Sequence, residues 1–368
     1  MSASALWAPE GNNFWHGGNY SIMAGSVLLP AYRVSSPSPY AILNNGLVIH
    51  PMNSIRSRFL LPLVLCGAIL AVSTASLFIR YAQQEKVPAL VIAAWRLSLA
   101  AVFLLPSVLL KYRADLRHLR GPTLGICMLA GVFLALHFAA WITSLEYTSV
   151  ASSVVLVTTT PLWVTLCAPF VLGEHPSPIT VAGMLLALSG GILIALGGNC
   201  PWMPIASWVS CVTREQFSHK MMFVGDALAL CGAWMAAGYV LVGRKVRIRL
   251  ALVPYLLLVY GMAALLLVGI VLGTRQRLVG YSPVVYLWLF LLALVPQLVG
   301  HSSLNWALRH LPAAFVSIAL LGEPVGSILL VALFLDEKPL PAEVAGGLIV
   351  LAGIYLASQR TPAARQLE

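Results

Sequence analysis

The chain is short of charge. Only 9% of its 368 residues are Asp, Glu, Lys or Arg, against 60% hydrophobic residues, whereas soluble domains carry about 25% charged residues. That deficit leaves too little polar surface to meet water all round. It excludes a soluble globular protein and places most of the chain against lipid. Further absences narrow the class. No Gly-x-x-x-x-Gly-Lys-Ser/Thr phosphate loop occurs, nor a polar domain to hold one, so ATP is not expected to drive the protein. There is no His-Glu-x-x-His and no pair of membrane aspartates, the clustered chemistry an intramembrane enzyme needs. The short alternating segments of a porin-type barrel are missing too. Six cysteines occur without the Cys–His spacing of a zinc site, so neither a metal nor a cofactor is expected.

What is present is length in apolar runs. Each run of about 20 residues crosses a hydrocarbon core of about 30 Å. Ten can be counted, at 59–80, 89–110, 122–143, 149–172, 179–197, 225–243, 252–273, 284–306, 312–335 and 342–358. The fold class expected is an all-α polytopic membrane protein. Cys66, Cys127, Cys167 and Cys231 fall inside runs and read as small packing residues. Cys200 and Cys211 share the long loop between the fifth and sixth runs, where an oxidising compartment would allow them to pair.

The second half of the chain repeats the first. Pro161, Glu174, Pro176, Pro178, Val181-Ala182-Gly183 and Gly190 return in register as Pro324, Glu337, Pro339, Pro341, Val344-Ala345-Gly346 and Gly353. Upstream, Leu65-Cys66-Gly67-Ala68 returns as Leu230-Cys231-Gly232-Ala233. The organisation expected is a tail over 1–58, a first repeat over 59–197, a loop over 198–224, a second repeat over 225–359 and a tail over 360–368. Residues 1–58 lack the basic and apolar regions of a signal peptide and read as a disordered tail, or as sequence upstream of a start at Met52. Five spans per repeat is an odd number, so the second repeat enters the membrane from the opposite face. With both termini in the cytoplasm, thirteen Lys and Arg flank the inner side and seven the outer. That bias sets orientation, and it accounts for the net charge of +10 without a nucleic-acid partner.

Several short motifs stand in order through both repeats. They are His137-Phe138-Ala139-Ala140-Trp141, Leu145-Glu146-Tyr147-Thr148-Ser149-Val150-Ala151, Pro161 and Gly173-Glu174, then Asn305-Trp306-Ala307-Leu308-Arg309, Leu311-Pro312-Ala313-Ala314, Gly322-Glu323-Pro324 and Gly353. With Arg96 in Ala94-Trp95-Arg96-Leu97, they resemble the drug/metabolite transporter superfamily, EamA type. The resemblance covers about residues 59–358 and implies ten spans as two inverted five-helix repeats, cytoplasmic termini and secondary transport of small metabolites, often outward. It leaves the cargo open. The location implied is a cell membrane, the bacterial inner membrane in the first place, with the chain a monomer or homodimer.

The residues that could carry the transport chemistry are polar groups at membrane depth, where a charge must face a cavity, pair or become neutral. Glu323 lies in the ninth span before Pro324, which would free the carbonyl of Leu320. It is a candidate for cargo or proton handling, or a kinking device. Arg96 could pair with Glu323 or hold an anionic group of the cargo, or else snorkel. His137 and His301 hold nearly equivalent repeat positions, with Gln297 and Asn305 nearby in sequence to His301, and Trp141 and Trp163 offer apolar contact. Trp95, Trp234 and Trp306 could line the path or face lipid. Glu174 and Glu337 stand in turns near a membrane surface and read as turn caps. The function expected is alternating access, with spans 1–5 rocking against 6–10, energised by the cargo gradient or by protons through Glu323. A channel-like permease is the alternative, and an intramembrane enzyme a more distant one.

Overall fold

A computed structural model describes residues 41–42, 48–49, 54–117, 119, 121–144, 146–148, 150–197, 219–334 and 338–359. The chain divides into two units, Met1–Asn53 and Ser54–Glu368. In the first, Ala41–Ile42 pairs antiparallel with Val48–Ile49. The remainder of that unit, Cys200, Cys211 and Glu337 lie outside the described residues.

The second unit is an all-α membrane bundle. Among the described residues ten helices are long and apolar enough to span: span 1 Leu60–Gln84, span 2 Ala89–Lys111, span 3 Gly121–Ser144, span 4 Ser152–Leu172, span 5 Pro178–Ala195, span 6 Met221–Arg247, span 7 Leu252–Gly273, span 8 Pro283–Ala307, span 9 Ala313–Phe334 and span 10 Pro341–Ser358. Large apolar side chains point outward along them, Phe170 at 88% exposure and Leu110 at 84%. Lipid, not water, is the solvent for that surface.

Spans 5 and 10 are repeat mates, and their crossing decides the topology. A Cβ placed on Gly183 would lie 2.6 Å from the Gly353 carbonyl oxygen, and one on Gly190 would lie 2.6 Å from that of Gly346. Early residues of one helix therefore meet late residues of the other, so the two equivalent helices run antiparallel. That is the signature of an inverted repeat. Small residues let the two backbones touch directly, and because Gly183 mates with Gly346 and Gly190 with Gly353 the crossing is two-fold symmetric.

The other contacts obey the same symmetry. Span 3 packs on span 6 as span 8 packs on span 1, span 4 on span 6 as span 9 on span 1, and spans 2 and 7 on each other. Every one of these pairs joins the two repeats. The repeats thus interleave rather than forming two lobes of spans 1–5 and 6–10: spans 3, 4 and 6 pack as one mixed body and spans 1, 8 and 9 as another.

Three spans are broken, and the breaks frame the polar centre. Span 4 divides into Val150–Val157 and Thr160–Leu172, span 9 into Ala313–Ala319 and Glu323–Phe334 through a 3-10 turn. The cause is the equivalent prolines Pro161 and Pro324, each lacking an N–H and crowding the preceding turn. In span 4 the Thr160 hydroxyl donates to the Val157 carbonyl at 2.8 Å. In span 9 the Leu320 carbonyl accepts the Glu323 N–H, so it is not left free for a ligand as the sequence suggests. Span 8 carries a π-helical stretch, Ala293–His301, around Pro296. Such wide turns redirect side chains and often mark functional sites.

Candidate functional site

The π-helical turn of span 8 buries Gln297 completely and aims it at Arg96 of span 2. Arg96 Nε donates to Gln297 Oε1 at 2.7 Å, and the guanidinium carbon lies 5.1 Å from the Phe138 ring centroid of span 3. Arg96 Nη2 and Gln297 Nε2 remain buried without a partner. A buried donor left unsatisfied costs about 1–3 kcal/mol, most clearly Arg96 Nη2, since Gln297 also lies against the Tyr260 hydroxyl. An acceptor arriving on a cargo molecule would recover that cost.

Charge converges on the same place. Glu323 and Arg96 feel one another electrostatically without forming an ion pair within 4.0 Å. The Glu323 backbone carbonyl accepts from Ser73 Oγ at 2.9 Å, tying span 9 to span 1, while its side chain stays half-buried. His301 is also half-buried and lies within the electrostatic reach of Arg96 and His137. His137 Nδ1 sits 2.9 Å from the Gly232 carbonyl of span 6. A carbonyl only accepts, so that nitrogen carries the proton. Trp141 stacks on His137 at 6.0 Å and 10°, and its own Nε1 is buried and unpaired.

Of the residues singled out in the sequence, Arg96, Gln297, His301, Glu323 and His137 therefore share one centre, with Trp141 joined through His137. Two stand apart. Trp163 Nε1 donates to Thr159 Oγ1 at 3.1 Å, and its ring meets Trp234 edge-on at 5.4 Å. Asn305 Nδ2 donates to Tyr239 Oη at 2.6 Å and to the His301 carbonyl at 2.7 Å. Trp95 is committed elsewhere, donating to the Leu278 carbonyl at 2.7 Å in the loop after span 7. Sequence reading missed Tyr239 and Tyr260. Both are buried, and Tyr260 Oη lies 3.4 Å from Ser302 Oγ. Their signal was placement: each tyrosine stands well inside an apolar run, where a phenol needs a polar neighbour.

A second polar cluster closes the face that carries the basic loops. Gly173 ends span 4 in the left-handed region, φ 69°, which glycine adopts without strain, and this turn delivers Glu174. Glu174 Oε1 accepts from Arg244 Nε of span 6 at 2.6 Å, and Oε2 from the Ala313 N–H at 2.9 Å. Arg244 Nη1 donates to the Leu308 carbonyl at 2.6 Å. Arg247 Nε donates to the Asn305 carbonyl at 3.0 Å and its Nη1 to Leu250.

The EamA-like transporter family model matches the chain twice, over residues 60–196 and 223–359. The chain belongs to that family. Among curated relatives of this EamA-like protein, an uncharacterized transporter of Archaeoglobus fulgidus is 25% identical over 238 residues, 64% of this chain and 76% of that one. A probable terminal-alkyne amino-acid exporter of Streptantibioticus cattleyicolor is 24% identical over 214 residues, 56% of this chain and 63% of that one. A solved crystal structure superposes with a TM-score of 0.64 at 18% identity, covering 84% of this chain and 98% of that one. At that identity the likeness speaks for the fold alone.

Proposed function

We propose that this EamA-like protein is a secondary active exporter of small metabolites working by alternating access around the Arg96–Gln297–Glu323 centre. The observation that carries the reading is a broken symmetry. Val150–Val157 and the start of span 9 are repeat mates, yet Ala313–Ala319 is buried throughout and packs on the Thr160–Leu172 half of span 4. Val154 to Val157 are only half-buried, and their helix packs on spans 5 and 6. One face is sealed between the mixed bodies and its mirror is looser. A carrier caught in one of two exchangeable states has this form, and a permanently open pore does not.

The cargo would meet Arg96 Nη2 and Gln297 Nε2 with an acceptor group, and Glu323 with a cationic group or a proton. The relative named as an amino-acid exporter makes amino acids and their analogues the first class to test. The basic-residue bias supports both termini lying in the cytoplasm, a cell membrane is the location proposed, and proton coupling would run through Glu323. The test is reconstitution: purified protein in liposomes preloaded with an amino-acid panel. Saturable counterflow that competing cargo blocks supports the carrier. Flux that stays linear with concentration and survives trans-side competition turns the reading to a permease.

A further inference from the structure

Two buried oxygens on the basic-face side of the bundle lack partners, and they are complementary. Tyr255, in the first turn of span 7, is fully buried, and Asn305, in the last turn of span 8, is 2% exposed. Tyr255 Oη and Asn305 Oδ1 each stand without a hydrogen bond. Both border Gly243 of span 6: a Cβ on that glycine would lie 2.8 Å from Tyr255 Oη and 3.8 Å from Asn305 Oδ1. The two oxygens are therefore no further apart than those two distances laid end to end.

The chemistry of the neighbours leaves each oxygen one suitable partner. Asn305 Nδ2 donates to the His301 carbonyl at 2.7 Å and to Tyr239 Oη at 2.6 Å. A carbonyl only accepts, so the amide orientation is fixed and Oδ1 is the open acceptor. The Tyr255 phenol feels Cys127, Tyr260 and Arg247. Arg247 has no acceptor, a thiol sulfur is a weak one, and Tyr260 Oη is already shared with Ser302 and Gln297. The strong acceptor beside the phenol that lacks a donor is Asn305 Oδ1. Burying such a pair unjoined costs free energy that one hydrogen bond would return. Asn305 is also tied to span 6, through Tyr239 and through Arg247 Nε on its carbonyl at 3.0 Å, whereas no hydrogen bond holds the Tyr255 hydroxyl. The first turn of span 7 is thus the piece left free to move.

We propose that Tyr255 donates to Asn305 Oδ1 in the second state of the carrier, as the first turn of span 7 shifts against spans 6 and 8, and that this bond stabilises the arrangement open on the basic face. The inference rests on the alternating-access reading but not on any cargo. In the closed arrangement Gly243 receives the phenol and keeps it short of Asn305. A side chain at that position would deny the hydroxyl its pocket.

The experiment uses full-length protein in liposomes, with the native cysteines replaced by alanine and Ser317→Cys as reporter, buried in the sealed first half of span 9. Tyr255→Phe removes the hydroxyl and keeps the ring. Labelling of Ser317→Cys by a water-soluble maleimide should slow by about tenfold, the order expected for losing one bond from the open state. Thermal unfolding in detergent should place Tyr255→Phe at or above the parent, because an unpaired buried donor is gone. A structural tyrosine would give the opposite sign. Gly243→Ala is the second arm: its Cβ crowds the phenol out of its pocket and should speed labelling, an effect that vanishes in the Gly243→Ala/Tyr255→Phe pair. A lower unfolding midpoint for Tyr255→Phe with unchanged labelling overturns the proposal, since the hydroxyl is then satisfied in the closed state, as by a buried water. Should Tyr255→Phe fail to fold, Gly243→Ala carries the test, and slower or unchanged labelling there refutes the contact. Absence of saturable flux across the amino-acid panel, with labelling shifted as stated, would sink the transport reading and leave the Tyr255–Asn305 contact standing.

Discussion

The crossing of spans 5 and 10 makes a quantitative claim. Gly353→Ala puts a Cβ 2.4 Å from Ala187 N and 2.6 Å from the Gly183 carbonyl oxygen, both backbone atoms with no rotamer to give way. Ordinary contact lies near 3.4 Å and beyond, so the helices must part by roughly 1 Å, a gap that forfeits about a quarter to a half of each dispersion contact along the seam. Overpacking of this kind costs about 1–3 kcal/mol. Gly190→Ala makes the symmetry-related clash, with the Gly346 carbonyl oxygen at 2.6 Å and Val350 N at 2.7 Å. Once one substitution has separated the helices the second meets less resistance, so the double variant should cost about 1 kcal/mol less than the sum of the singles. Gly191→Ala is the internal control. It meets nothing within 4 Å and gains up to about 1 kcal/mol of helix propensity. Equilibrium unfolding in mixed detergent should rank Gly191→Ala at or above the parent, then the two single variants, then the pair. Equal stability of Gly353→Ala and Gly191→Ala would show that the backbones are not in contact and would remove the antiparallel crossing on which the inverted topology stands.

Three further outcomes are expected. Glu323→Gln should keep cargo exchange in liposomes yet lose accumulation driven by a pH gradient; uphill transport at the parent rate would rule out Glu323 as proton carrier. His310, outside the spans, is held below the ordinary histidine range by partial burial, then by the charges of Arg309, Arg247 and Arg244. Folding therefore favours its neutral ring, a contribution present above about pH 6.5 and lost as pH falls below it. NMR titration should find its midpoint below that of a free histidine and raised again in Arg309→Ala, and a midpoint at or above the free value contradicts the basic cluster. An impermeant thiol reagent on intact cells should label Glu215→Cys and not Leu116→Cys, and the reverse pattern would invert the orientation.

The two-fold was legible because its makers are residues with special backbone behaviour. Pro161 and Pro324 each lack an N–H and crowd the preceding turn, and Gly183, Gly190, Gly346 and Gly353 mark close approach in a lipid-facing bundle. Such residues announce geometry without knowledge of their neighbours. The centre was legible in part for a related reason: Arg96 and Glu323 are too costly in a membrane to be idle. What the sequence concealed is relational. Nothing in span 8 beyond Pro296 announces a π-helical turn, because its register is settled by Gln297 reaching Arg96 across the bundle. Tyr239 and Tyr260 stand inside apolar runs, but the polar groups they meet, Asn305 and Ser302, come from another helix, and Trp95 is tied to a loop carbonyl. Interleaving was hidden for the same reason, since a chain-order repeat suggests two lobes while each helix in fact buries its face against the other repeat. Glu174 shows the limit most clearly. Its repeat mate Glu337 makes it look like a turn cap, and only the fold brings it to Arg244 of span 6 and to the Ala313 N–H that begins span 9.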